Sequence, residues 1–215
     1  MKSKIVIFSN LKGGVGKTTL CALFADYLSE NGQPVAVVDA DLQQSLYHHR
    51  QRDLDQSAEK EIPWQAISLN TDDVEAANSA MKKLKSVPGY ILIDCPGTLN
   101  DPVLNPIFMA ADTAVIPISY DDDTIDATVA FMKILKKTNP SVKLIFIPNR
   151  INDREGTKSE KEQRQRTLEI LGKFGFVAPR IKQSVMIKRY STLETLDLYQ
   201  KRALSYPFEE ILSNI

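Results

Sequence analysis

The chain has 215 residues, 43% hydrophobic and 25% charged, and its 27 Lys+Arg balance 27 Asp+Glu. That length suits one well-buried core, and a net charge of zero excludes a protein that is basic throughout. No apolar run reaches the roughly 20 residues that cross a bilayer, and Met1 to Phe8 is strand-like with no cleavage site, so a cytoplasmic protein with a single domain over residues 1–215 is expected.

Short runs rich in Val and Ile alternate with helix-length segments, the rhythm of parallel strands joined by crossover helices. The first predicted strand is Lys4 to Ser9. A glycine-rich turn follows, then a helix over Lys17 to Ser29 that Asn31-Gly32 terminates. Further strands are predicted at Pro34 to Asp39, Trp64 to Leu69, Tyr90 to Asp94, Thr113 to Ile118 and Val142 to Pro148. Most are almost continuously apolar, as strands covered on both faces are. Helices are predicted over Asp72 to Lys85, Asp123 to Lys137 and Lys158 to Gly172, with another helix start ahead of His48 and His49, whose side chains belong on its solvated face. The expected fold is α/β: one doubly wound, mostly parallel sheet with flanking helices.

The C-terminal part, about residues 150–215, departs from this alternation. Arg150 to Glu162 reads as an exposed charged loop or helix entrance, Phe176 to Ile181 as extended, and the remainder as polar-basic helices appended to the same domain. From Arg150 to Arg202 there are 13 Lys+Arg against 7 Asp+Glu, so the rest of the chain carries the compensating acids. A solvated helical surface and a nucleic-acid contact both fit that bias. Cys21 and Cys95 have no C-x-x-C spacing and no His at ligand distance, which makes them small buried hydrophobes rather than a disulfide or metal pair.

The chemistry-bearing segment follows the first strand: Asn10-Leu11-Lys12-Gly13-Gly14-Val15-Gly16-Lys17-Thr18-Thr19. A strand, a glycine-rich turn and a helix N-terminus surround one point with backbone N–H groups, where polyphosphate can be held. Gly13, Gly14 and Gly16 let the backbone, with Val15 among them, come close to the anion. Lys17 is placed for the β- and γ-phosphates, Thr18 for Mg2+ and Thr19 for the α-phosphate. The strict G-x-x-x-x-G-K-[ST] pattern fails at its first glycine, where Leu11 stands. Acids arrive at the carboxyl ends of two predicted strands, the edge where open parallel sheets bind ligands: Asp39-Ala40-Asp41 and Asp94. Either could instead cap a helix. After the sixth strand, the Asn149 amide of Pro148-Asn149-Arg150 can read adenine or cap a turn.

The form K-G-G-x-G-K-T-T resembles the deviant Walker A motif of the ParA/MinD superfamily of P-loop ATPases, which also includes nitrogenase iron proteins and several metabolic ligases. The resemblance runs from Lys4 to roughly Leu196 and implies a P-loop NTPase fold with ATP and Mg2+ as ligands. It implies that Lys12 crosses the interface of an ATP-bound homodimer to the partner's nucleotide, acting as an arginine finger does. It also implies that Asp94 holds Mg2+ through water, that Asp41 orients the attacking water, and that Asp39 supports the metal. Asp94-Cys95-Pro96-Gly97 is similar to the family's γ-phosphate-sensing turn, and Asn149 and Arg150 match the region of related proteins that meets the base. One departure stands out: partition ATPases usually carry Pro and then Gln after the Asp41 position, whereas Leu42-Gln43-Gln44 follow here.

Within the superfamily the chain is most similar to the short ParA partition ATPases. Lys182, Lys188, Arg189, Lys201 and Arg202 then fall in the region that offers basic side chains to non-specific DNA, a contact that needs charge and no base recognition. The implied cycle is an ATP-bound dimer on the nucleoid, a small centromere-binding ParB-like protein that stimulates hydrolysis, and a monomer that lets go. A MinD-like membrane role needs a basic amphipathic tail, and Pro207 to Ile215 has acids and no Lys or Arg, so no membrane partner is expected. An iron–sulfur carrier would need paired cysteines. A metabolic ligase and an ATPase that positions a protein cargo share the same loop chemistry. Asp121-Asp122-Asp123 reads as helix-capping groups or as the mark of a different partner.

Overall fold

The computed structural model describes residues 2–57, 61–69, 73–98 and 101–215. Within them lie β1 (Ser3–Phe8), β2 (Val35–Asp39), β3 (Gln65–Ser68), β4 (Gly89–Asp94), β5 (Thr113–Ile118), β6 (Lys143–Pro148) and β7 (Phe176–Val177). These seven strands form one sheet in the order β3-β2-β4-β1-β5-β6-β7, and every pairing is parallel. The helices are α1 (Lys17–Glu30), α2 (Ser45–Gln56), α3 (Val74–Leu84), α4 (Leu104–Ala110), α5 (Asp122–Thr138), α6 (Lys158–Leu171), α7 (Val185–Lys188) and α8 (Leu198–Asn214).

Alternation along the strands divides the core into two layers. Ile5 and Ile7 of β1 face one side with Ile91 and Ile93, where α4 and α5 deliver Ile107, Phe108, Phe131 and Leu135. Val6 and Phe8 face the other, with Leu92 and with Leu20 and Phe24 of α1. Because both faces are covered, most strands are almost continuously apolar, as the sequence indicated, whereas the edge strand β3 (Gln65–Ser68) alternates exposed and half-buried residues. The C-terminal helix α8 joins this second layer through Leu204, Phe208 and Ile211, and the Phe208 ring meets Phe24 edge-on with centroids 5.2 Å apart.

Capping explains several boundaries. Asp121 accepts from the Thr124 N–H at the start of α5, so one member of the acidic triplet is a helix cap. Thr157 with Glu160, and Asp197 with Gln200, form capping boxes at α6 and α8. Asp73 caps α3; Asp72, the predicted start, lies outside the described residues, as does Met1. α4 was not predicted, since seven residues including Pro106 are too few for a helical period to show. The expected extended stretch Phe176 to Ile181 pairs as a strand only at its first two residues, yet it stays beside β6 through Ala178 N–H to Phe146 O and Ile181 N–H to Pro148 O, both 2.8 Å.

A buried polar group sits between α1, α2 and the entrance to β3. Asp26, 3% exposed, accepts from Trp64 Nε1 at 2.7 Å. Burial pushes its carboxyl up to about 8, against the Trp64 bond and the Arg50 charge, with Glu30 and Asp53 pushing further in the same direction. An acid whose folded-state pKa exceeds its unfolded value stabilises the fold fully below the unfolded pKa and loses that contribution as pH rises through the folded one. Stability should therefore decline between about pH 4 and pH 8, and Asp26→Asn, which stays neutral, should flatten that decline. Denaturant midpoints measured across this window check it; parallel curves for the two proteins would count against the assignment.

Candidate nucleotide site

The phosphate loop is shaped from the end of β6. α1 begins with Gly16 as its N-cap at φ 96° and without a side-chain cap, so its first N–H groups remain for an anion. Asn149 Nδ2 donates to Val15 O at 2.9 Å, and the Arg150 guanidinium donates to Gly14 O. A Cβ on Gly16 would lie 2.5 Å from Asn149 Nδ2, so a larger residue there would displace that amide from Val15 O and strain a left-handed backbone. The amide considered for adenine is thus committed to the loop itself. Asn10, fully buried, anchors the loop's other end, donating to Pro117 O at 2.9 Å and Thr128 Oγ1 at 2.8 Å. Neither Asn10 nor Thr128 carried a sequence signal, because their pairing spans 118 residues.

The two lysines have different surroundings. Lys17 is 9% exposed, and its Nζ donates to Lys12 O at 3.2 Å. Burial lowers its pKa, while Asp94, Cys95 and Asp41 pull the other way. A Cβ on Gly97 would stand 3.3 Å from Lys17 Nζ, so the turn after β4 passes close to this ammonium. Lys12 instead reaches outward to Asp123 Oδ2 at 3.0 Å, and that carboxylate is 82% exposed. An ion pair in solvent is worth about 0–1 kcal/mol, so Lys12 can leave it cheaply.

The strand register explains how the acids meet: Phe8 of β1 and Asp39 of β2 both pair with Asp94 of β4. Asp94 is buried, and burial pushes its carboxyl up to about 8 despite a hydrogen bond from Thr18 and the nearby Lys17. Its Oδ1 has no hydrogen-bond partner. An orphaned buried carboxylate oxygen is costly, and a cation beside it and Thr18 would answer that cost. Asp39 spends both oxygens on backbone amides, Oδ1 on Asp41 at 3.1 Å and Oδ2 on Leu46 and Tyr47 at 3.0 Å each. It therefore caps α2, the alternative the sequence had offered for the acids at strand ends. Asp41 Oδ1 accepts from Gln43 N–H at 3.0 Å, and Gln44 turns into α2 at φ 47°. Cys21 and Cys95 are buried, and desolvation with these neighbouring acids raises both thiols, so neither is a reactive thiolate.

These parts line a cleft of about 490 Å³. One wall is the loop from Gly13 to Thr19, with Asp41 and Gln43. Lys182, Gln183, Ser184, Ile187 and Lys188 form the other. Two lysines considered for DNA thus border the cleft. All five basic candidates are exposed, but Lys182 pairs with Asp153 at 2.9 Å and Lys201 with Glu30 at 3.1 Å. A larger groove of about 930 Å³ between α5 and α6 shares Arg150 but presents Asp121, Asp122, Asp126, Glu155 and Glu160, a charge that repels polyphosphate. Among the described residues no helix is long and apolar enough to cross a membrane.

Comparison with known proteins agrees with this geometry. The CobQ/CobB/MinD/ParA nucleotide binding domain family matches residues 6–192. The maintenance of carboxysome distribution protein A of Halothiobacillus neapolitanus is 28% identical over 174 residues, covering 80% of this chain and 76% of that protein. The chromosome-partitioning ATPase Soj of Thermus thermophilus is 25% identical over 171 residues, 68% of each chain. In fold, a variant of Cyanothece McdA in complex with ATP superposes with a TM-score of 0.77 at 18% identity, covering 99% of this chain and 96% of that one.

Proposed function

The chain belongs to the CobQ/CobB/MinD/ParA nucleotide binding domain family, and from that premise we propose that it is a ParA-type ATPase whose ATP-bound homodimer holds non-specific DNA. The observation that carries this is the pairing of two lysines at one uncapped helix N-terminus: Lys17 turned inward beside Asp94, Lys12 turned outward at the surface. A cation that can leave a weak surface pair is free to reach a neighbouring subunit.

ATP with Mg2+ supplies the scissile phosphoryl bond and the charge neutralisation that its cleavage needs. The Thr18 hydroxyl and Asp94 Oδ1 would hold the metal, which as Mg2+ takes few protein carboxylates and keeps phosphate and water ligands. The loop amides and Lys17 bind the phosphates. Asp41, on the β2–α2 turn at the cleft, orients water. Lys12 enters the partner's site and stabilises charge on the transferring group. Turnover then lets the pair separate, and DNA affinity falls with it. On the surface, Lys188, Arg189 and Arg202 supply phosphate contacts, with Lys182 and Lys201 adding theirs once their acidic partners are displaced. A small ParB-like protein on cargo DNA serves as the stimulating partner.

A DNA-binding titration in ATP and in ADP tests this. Tighter, salt-sensitive binding in ATP is expected, with log affinity falling linearly with log salt; equal affinity in the two nucleotides would overturn the DNA reading. The similarity to a carboxysome distribution protein favours a second reading in which the same cycle moves a protein cargo. In that case DNA still binds, but the stimulating protein carries no DNA of its own.

A further inference from the structure

α2 joins the two walls of the cleft. Its first N–H groups, from Leu46 and Tyr47, are held by Asp39 Oδ2 at 3.0 Å each, on the phosphate-loop side. Within the next turn comes Arg50, 3% exposed. Its Nε donates to Thr192 Oγ1 at 3.0 Å, its Nη1 to Trp64 O at 2.7 Å and its Nη2 to Thr192 O at 2.7 Å. The guanidinium lies 4.0 Å over the Trp64 ring. Asp53 Oδ2 accepts from Thr192 N–H and from Thr192 Oγ1, both at 2.7 Å. Thr192 is fully buried, and between it and Lys188 the Tyr190 ring packs on His49 of α2 with centroids 4.6 Å apart.

α7 has four residues, too few to hold a helix by its own hydrogen bonds. Its place must come from what grips its flanks. On one side Gln183 N–H donates to Ile151 O at 3.0 Å; on the other stands the Thr192 clamp, with Gln200 Nε2 donating to Met186 O at 3.2 Å from α8.

We propose that Arg50 and Asp53 are positioning residues for the nucleotide site. Through Thr192 they hold the wall formed by residues 182–188 at a set distance from the phosphate loop, and α2 ties that wall to the Asp39–Asp41 turn. Any displacement of that turn on nucleotide binding moves the N-terminus of α2, and the clamp passes the movement to Lys188 and Arg189. This rests on the nucleotide reading above.

Hydrogen exchange, with and without ATP and Mg2+, tests both. In the native protein, ATP should slow exchange at residues 13–19, and residues 46–53 and 185–192 should slow together. Thr192→Val keeps shape and backbone bonds but deletes the hydroxyl that Arg50 and Asp53 share. It should keep the protection at 13–19, lose it at 185–192, and raise the KM for ATP about tenfold with kcat nearly unchanged. Thr192→Ser should restore all three. A folded Thr192→Val protein with native KM and full protection at 185–192 overturns the proposal, because a merely structural bond lowers Tm and moves neither. If Thr192→Val does not fold, the native protein decides: protection at 13–19 with only one of 46–53 and 185–192 responding overturns it. No protection at 13–19 removes the nucleotide reading, and this inference with it.

Discussion

Lys12→Ala should lower ATP turnover by about 10³-fold or more, the effect of removing a cation supplied to the transferring phosphoryl group by a second subunit. Nucleotide affinity of the monomer should change little, because Lys12 lies against Asp123 and the loop amides and Lys17 are the proposed phosphate contacts. The substitution should cost little stability, since the ion pair that Lys12 makes with Asp123 is exposed. Sedimentation in ATP and in ADP gives the second half of the expectation: the native chain pairs in ATP, and the variant stays monomeric in both. Normal turnover with retained pairing would mean that the outward lysine has no part in the chemistry.

Lys17→Ala should act on a different step. Its Nζ sits under the turn at Gly97, close enough to Asp94 and Asp41 for both to act on its charge. Removing the ammonium deletes the side-chain cation that lies between these acids and the incoming phosphates. Truncating one partner of a buried charge contact costs about 2–5 kcal/mol, so ATP affinity should fall about 100-fold, and turnover should fall with it. Calorimetric titration separates the two variants. Lys12→Ala binds and does not cleave; Lys17→Ala scarcely binds. Equal affinities would contradict the assignment of an inward and an outward lysine.

Much of the sheet could be read directly because strands covered on both faces carry near-continuous apolar runs, and β1, β2, β4, β5 and β6 have such runs with polar residues only at their ends. The loop from Lys12 to Thr19 was legible for the same local reason: its function needs glycines, a lysine and a hydroxyl within a few residues. What stayed hidden depends on distant partners. Asp123 belongs to a triplet that could cap or bind, and only the fold brings it to Lys12 across 111 residues. An amide that can read adenine can equally hold a carbonyl, and Asn149 holds that of Val15. Lys182 looked like part of an open basic face. The bridge between Ile151 and Lys182 also carries its segment to the end of β6, beside the phosphate loop. The clamp at Thr192 was equally invisible, since Arg50 lies 142 residues away and looks like one more charged residue on a polar helix.

The claim on which the account turns is that Lys12 serves the nucleotide of the other subunit, and mixing two inactive proteins tests it most directly. Lys12→Ala keeps Asp41 and lacks the lysine; Asp41→Ala keeps the lysine and lacks the acid proposed to orient water. In a mixed pair, the Asp41→Ala chain would lend its lysine to the site of the Lys12→Ala chain. Because Lys12→Ala does not pair with itself, a mixed pair competes only with Asp41→Ala pairs, and each mixed pair has one complete site, so turnover should rise well above that of either component, to at most about half the native rate. A mixture as inactive as its components, with mixed dimers shown to form, would mean that Lys12 does not act across the interface.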